Sequence, residues 1–191
     1  LGFLYWHQER YEDAIKANES ALKINREQND LEEAVSVLVN LGMVMRNWGD
    51  LDRALAYLKE AEESNKALGS PMHQGYILTI ASNVYRDQGD VEKALQYYQQ
   101  VHEINVQTRR LHTRTFSLKV VANLCWESGK IEECLRYCDD LVVLTRNLHI
   151  KSEIAQALSI YGLRLMMLSR FDAALPRLLE AADLFADHLY T

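Results

Sequence analysis

Cys125, Cys134 and Cys138 are the only cysteines of the chain, and they lie close together. Cys134 and Cys138 are one helical turn apart, a spacing at which two thiolates could share a metal ion. Zinc usually wants four ligands, however, and no histidine falls in the neighbouring apolar columns. A buried free cysteine also behaves as a small hydrophobe. The expectation is therefore three packed thiols and no metal. An odd, low count speaks against a secreted disulfide framework, which points to a reducing, cytoplasmic compartment. The histidines, His7, His73, His102, His112, His149 and His188, are scattered. There is no HExxH, no GxSxG and no phosphate-cradling glycine loop. Carboxylates are frequent but read as solubilising charge on helix faces. No catalytic residue and no cofactor are expected: the chain reads as a binding protein, not an enzyme.

A different chemistry is carried by amides, cations and aromatics that recur along the chain. Asn40, Asn83 and Asn123 can each give and take a hydrogen bond, as holding an extended backbone requires. Arg86 and Lys119 can pair with carboxylates of a ligand. Phe116, Trp126 and Met166 offer apolar anchor points. These residues make a binding surface only if the fold puts them on one face.

The totals restrict the partner. Lys and Arg number 21 against 27 Asp and Glu, a formal net charge of −6. Nucleic-acid binders carry a basic footprint, so direct nucleic-acid binding is not expected, nor is docking on anionic membrane. No apolar run approaches the roughly 20 residues that span a bilayer, and no signal peptide is visible. The first residue, Leu1, falls inside a repeat, so the chain reads as part of something longer.

What positions these side chains is a repeat of 40 residues. Gly2, Gly42, Ser82, Ala122 and Gly162 mark its phase, followed by Glu9, Gly49, Gly89, Gly129 and Ser169. Tyr11, Leu51, Val91, Ile131 and Phe171 form an apolar column, and Ala14, Ala54, Ala94, Cys134 and Ala174 a small one. A fixed period of this length means a solenoid, each unit burying its core only against its neighbours. The repeats run over about residues 1–29, 30–69, 70–109, 110–149 and 150–191, one array without insertion.

Each repeat reads as two helices. Val35, Leu38, Leu41 and Met45 follow the helical period, as do Leu51, Leu55, Leu58 and Ala61. Between them stand Gly49-Asp50 and Gly89-Asp90, in which glycine closes one helix and aspartate caps the next. Asp30 with Glu33 reads as a capping box, and Ser70-Pro71 as another helix start. Pro176 falls inside the last helix, where it must bend the helix or remove a hydrogen bond.

At Leu41-Gly42, Met45, Gly49, Leu51, Ala54, Leu58 and Ala61, and again at Tyr85, Gly89, Val91, Ala94, Tyr98 and Val101, the chain resembles the tetratricopeptide repeat (TPR) family. The usual unit has 34 residues and a proline ending its second helix. Here that column holds Arg26, Lys66, Val106 and Arg146, so the second helix can run on. The longer variety resembles the repeats of the Gα-binding cell-polarity adaptors, of bacterial STAND-type activators and of response-regulator phosphatases. Asn40, Asn83 and Asn123 around the Leu-Gly column strengthen that likeness.

The resemblance implies an all-α, right-handed α-solenoid of five two-helix repeats, with the first helices lining a concave groove. By register, Asn40, Arg46, Tyr76, Asn83, Arg86, Phe116, Lys119, Asn123 and Trp126 would face it, with Phe3, Trp6 and His7 at its start. Some members clamp a C-terminal carboxylate. Lys119 and Asn123 match half of that clamp, but Ile160 replaces its next Asn. The function expected is a protein-interaction scaffold holding a peptide or helix in the groove. The alternatives are a regulatory or sensor segment of a larger signalling protein and a self-association module. Leu175, Leu178, Leu179, Leu184 and Phe185 exceed what one buried stripe needs, which suggests further helices or end-to-end contact between copies.

Overall fold

A computed structural model describes residues 11–189, with side chains through Ala186. Among the described residues there is no strand, and the elements are α1 (Tyr11–Glu27), α2 (Leu31–Trp48), α3 (Leu51–Leu68), α4 (Pro71–Asp87), α5 (Val91–Gln107), α6 (Leu111–Glu127), α7 (Ile131–Leu148), α8 (Lys151–Met167) and α9 (Phe171–Leu189). The class is the expected one, an all-α solenoid of tandem helix pairs. Arg26, Lys66, Val106 and Arg146 all lie inside their helices, so the second helix does run on where most family members carry proline. Gly2, Phe3, Trp6, His7 and the first turn lie outside the described residues, as does the side chain of His188.

The turns fall where the marker columns put them. Gly49 takes φ 93°, and Asp50 accepts a hydrogen bond from the Arg53 amide at 3.1 Å. Asp90 does the same with Lys93 at 3.0 Å. Ser70 caps α4 with Pro71 in its first turn. The box at Asp30 forms only in part. Its carboxylate accepts from the Glu33 amide at 3.1 Å, but its own N–H already bonds the Asn25 carbonyl at 2.8 Å. The preceding helix end has taken the donor that Glu33 would have served.

A finer regularity emerges from the backbone. Asn29, Gly49, Gly69, Gly89, Arg109, Gly129, His149 and Ser169 all have positive φ, between 53° and 93°. One left-handed residue thus recurs every 20 positions, following each of α1 to α8. Glycine accepts this conformation without cost; the four side-chain-bearing residues do not.

The chain forms two compact units, one ending at Thr108 and the other beginning at Arg109. In the first, consecutive helices pack on one another and α2 also touches α4. Its core holds Leu38, Leu41, Met45, Ala54, Leu58 and Ala61. Asn18 sits buried in an apolar column because its amide donates to the Ala14 carbonyl one turn back, at 2.8 Å. In the second, α6 to α9 pack in order around Leu118, Leu141, Leu144 and Leu158.

The phase-marking column is small because helices touch there. A Cβ at Gly42 would stand 2.8 Å from Leu58 Cγ, and one at Gly162 would stand 2.7 Å from Leu178 Cγ. Ser82 uses the same closeness differently, donating to the Ala94 carbonyl at 2.8 Å. Pro176 lies within α9 without ending it. Its missing N–H deprives the Asp172 carbonyl of the usual intrahelical partner, and Arg177 donates from its guanidinium to the neighbouring Ala173 carbonyl at 2.7 Å. Leu178 turns inward against Gly162, while Phe171, Leu175, Leu179 and Phe185 stay exposed.

Candidate functional site

In the second unit, α6 presents Phe116, Lys119, Asn123 and Trp126 at steps of three and four residues, beside α8. Phe116 is 60% exposed. Lys119 Nζ reaches Glu153 Oε2 at 2.8 Å and Gln156 Oε1 at 3.0 Å on α8. Asn123 Oδ1 accepts a hydrogen bond from an Arg164 guanidinium nitrogen at 2.8 Å. The same guanidinium lies over the Trp126 ring, its carbon 4.5 Å from the centroid. Leu163, Met166 and Met167 of α8 are exposed alongside.

In the first unit, α2 and α4 form the corresponding face. Arg46 Nε donates to Asp87 Oδ2 at 2.6 Å. Asn40 and Asn83 are half-buried, Arg86 is exposed, and Tyr76 is 54% exposed. Below them His73 is buried between two hydroxyls, with Nε2 3.1 Å from Ser36 Oγ and Nδ1 2.9 Å from Ser70 Oγ.

The nine sequence-predicted residues thus fall on the first helices of the second, third and fourth repeats. Cations among them are committed within the fold. Arg46 is neutralised by Asp87 and Lys119 by Glu153. Sequence reasoning missed Arg164 and Glu153, both on α8. A signal for them existed. Partners on adjacent first helices are 34, 37 or 41 residues apart. Those separations bracket the 40-residue period in steps of about one helical turn.

The cysteines occupy packing positions. Cys125, Cys134 and Cys138 are all buried and free. Burial pushes the Cys125 thiol up to about 11. Its hydrogen bond with Cys134, then burial, pushes Cys138 up, and the same bond draws Cys134 down. At pH 7.5 all three are expected to react with iodoacetamide only as fast as the fold opens. Labelling followed by mass spectrometry checks this; alkylation faster than global amide exchange would show the packing to be looser. Among the described residues, no group of three or more His, Cys, Asp or Glu is placed to hold a metal ion, and no helix is long and apolar enough to cross a membrane.

Comparison with known proteins agrees with this architecture. No curated protein matches the sequence. The nearly identical TPR-like repeats of a putative kinesin light chain from Podosopora anserina superpose with a TM-score of 0.82 at 14% identity, covering 100% of this chain and 94% of that one. The apo form of RapI gives 0.82 at 13% identity, over 96% of this chain and 51% of RapI. The STAND protein with a tetratricopeptide repeat sensor from Pyrococcus horikoshii gives 0.81 at 16% identity, over 97% of this chain and 28% of that one. At such identities the likeness speaks for the fold alone. The family is shown by sequence: the MalT-like TPR region family matches residues 1–187, and the chain belongs to it.

Proposed function

We propose that this chain is a protein-interaction module that takes a peptide or helix along the first helices of its repeats. The observation that carries the reading is a pair of aromatics in one register slot. Tyr76 and Phe116 are 40 residues apart and both more than half exposed. Each stands on a first helix whose other large apolar residues are mostly buried against neighbouring helices. Exposed aromatics beside amides and cations are what an interface centre uses. Asn83 and Asn123 share a second slot, suited to bonding a ligand backbone.

The test replaces Tyr76 and Phe116 together by Ser and measures binding to a partner recovered by pull-down. Helical content should be unchanged, and binding should fall by roughly tenfold or more. A control pair on second helices, Lys93→Glu with Arg136→Glu, should leave binding intact. Loss in the control and survival in the aromatic pair would reverse the assignment of the binding face. A second reading, a sensor or regulatory segment of a larger signalling protein, takes its support from the fold shared with the tetratricopeptide repeat sensor of the STAND protein. An effector that protects α4 and α6 from amide exchange would support it.

A further inference from the structure

We propose that Arg164 is the carboxylate-recognising residue of the α6–α8 face, and that the ligand it selects is an acidic peptide with an apolar neighbour to the acidic residue. The inference rests on the reading that the first helices bind a peptide.

The charges of this face are unequal in what they have left to offer. Lys119 already has the Glu153 carboxylate at 2.8 Å, so a ligand carboxylate would have to displace it. On second helices, Arg146 is likewise held by Glu180 at 2.7 Å, and Arg26 is held by Glu60. Arg164 differs. Its contacts are the neutral Asn123 carbonyl oxygen at 2.8 Å, the Met167 sulfur at 4.0 Å and the Trp126 ring face. Among the described residues no carboxylate lies within ion-pair distance of it.

That geometry prepares an anion site. A guanidinium stacked on an aromatic face keeps its in-plane N–H edge available. Asn123 occupies one donor, and Met167 takes only a weak contact from another. Trp126, Asn123 and Met167 together hold the side chain, so less of its freedom remains to be lost on binding. A carboxylate placed there gains charge-assisted, geometrically matched hydrogen bonds. Around it, Leu163, Met166 and Met167 are 50%, 45% and 64% exposed. Exposed thioethers adapt to varied apolar side chains, so they suit the residue beside the acid. A nucleic-acid phosphate is the poorer fit, because the whole chain carries −6.

The test uses randomised short peptides displayed on phage and selected on the 191-residue chain. Selected sequences should be enriched in Asp or Glu next to an apolar residue. Affinity for a synthetic selected peptide should fall by roughly tenfold in Arg164→Gln, a loss of one charge-assisted contact. It should change much less in Lys119→Gln. Arg164→Lys, which keeps charge but loses the guanidinium fork, should lie between, and covers the event that Arg164→Gln folds poorly. Selection on Arg164→Glu should turn the preference toward Lys and Arg. Peptides selected without acidic preference, or bound equally by the Arg164 variants, would overturn the inference while leaving the peptide reading standing. Failure to select any peptide would overturn both.

Discussion

Gly42→Val is expected to destabilise the first unit by about 3 kcal/mol, at the upper end of what overpacking costs. Gly42→Ala is expected to destabilise it by about 1 kcal/mol, although alanine is the better helix former by about 1 kcal/mol. The steric term wins because of what the new Cβ meets. Leu58 Cγ and Cδ2 stand 2.8 and 2.9 Å away, and Leu58 is 2% exposed. A branch carbon fixed in a filled core cannot swing aside as a side-chain tip can. At Gly162 the opposing Leu178 is only half-buried, so the same alanine should cost less there. Urea unfolding followed by circular dichroism measures both. Combining Gly42→Ala with Leu58→Ala should cost less than the two single changes added, because one substitution vacates the space the other needs. Strict additivity would mean that α2 and α3 do not meet at this point.

Asn65→Asp is expected to cost about 3–5 kcal/mol at neutral pH, the range for an uncompensated buried charge. Asn65 is buried, and its Nδ2 donates to the Ser70 carbonyl and to Gln74 Oε1, both at 3.1 Å. Its Oδ1 is also buried and has no partner. A carboxylate of the same shape would present an oxygen to two oxygens at the junction of α3 and α4. The pH dependence follows from the sign of the shift. Repulsion and burial raise the carboxyl above its unfolded value of about 3.9, so the folded state binds the extra proton more tightly. The penalty is therefore full at neutral pH and shrinks as pH falls through the raised value. Below the unfolded value only the lost hydrogen bonds should remain. Parallel stability curves for the variant and parent from pH 4 to pH 8 would contradict this geometry.

The helix pairs and their turns were readable because small and apolar columns recur without slippage. Gly42 announced a close approach, and Leu58 is what approaches. Gly49-Asp50 announced a closing turn and a cap, and both are present. The partial box at Asp30 was not readable, since whether Asn25 claims the Asp30 amide depends on how the previous helix ends. Ser169 was marked by sharing a column with Gly49, Gly89 and Gly129, but the left-handed Arg109 and His149 were not readable, since their column holds a single glycine, Gly69. The candidate face was readable as a row of positions, but not as a set of charges. Which cation is neutralised depends on a residue in the next repeat. Only the separations of 34, 37 and 41 residues, once measured, tell Lys119 from Arg164.

The even spacing of left-handed residues bears on how an array of this kind changes in copy number. Gly49-Asp50 and Gly89-Asp90 are equivalent seams, each with a positive-φ glycine followed by a capping aspartate. An unequal exchange between them deletes or duplicates 40 residues and recreates the same Gly-Asp junction. Both helix ends stay capped, and every column keeps its phase. An insertion of one residue within α3 instead rotates all that follows it in that helix by about 100°, turning buried Ala61 and Asn65 off their packing face. The fold therefore tolerates change in whole repeats far better than in single residues, and the seams are where a designer would lengthen or shorten it.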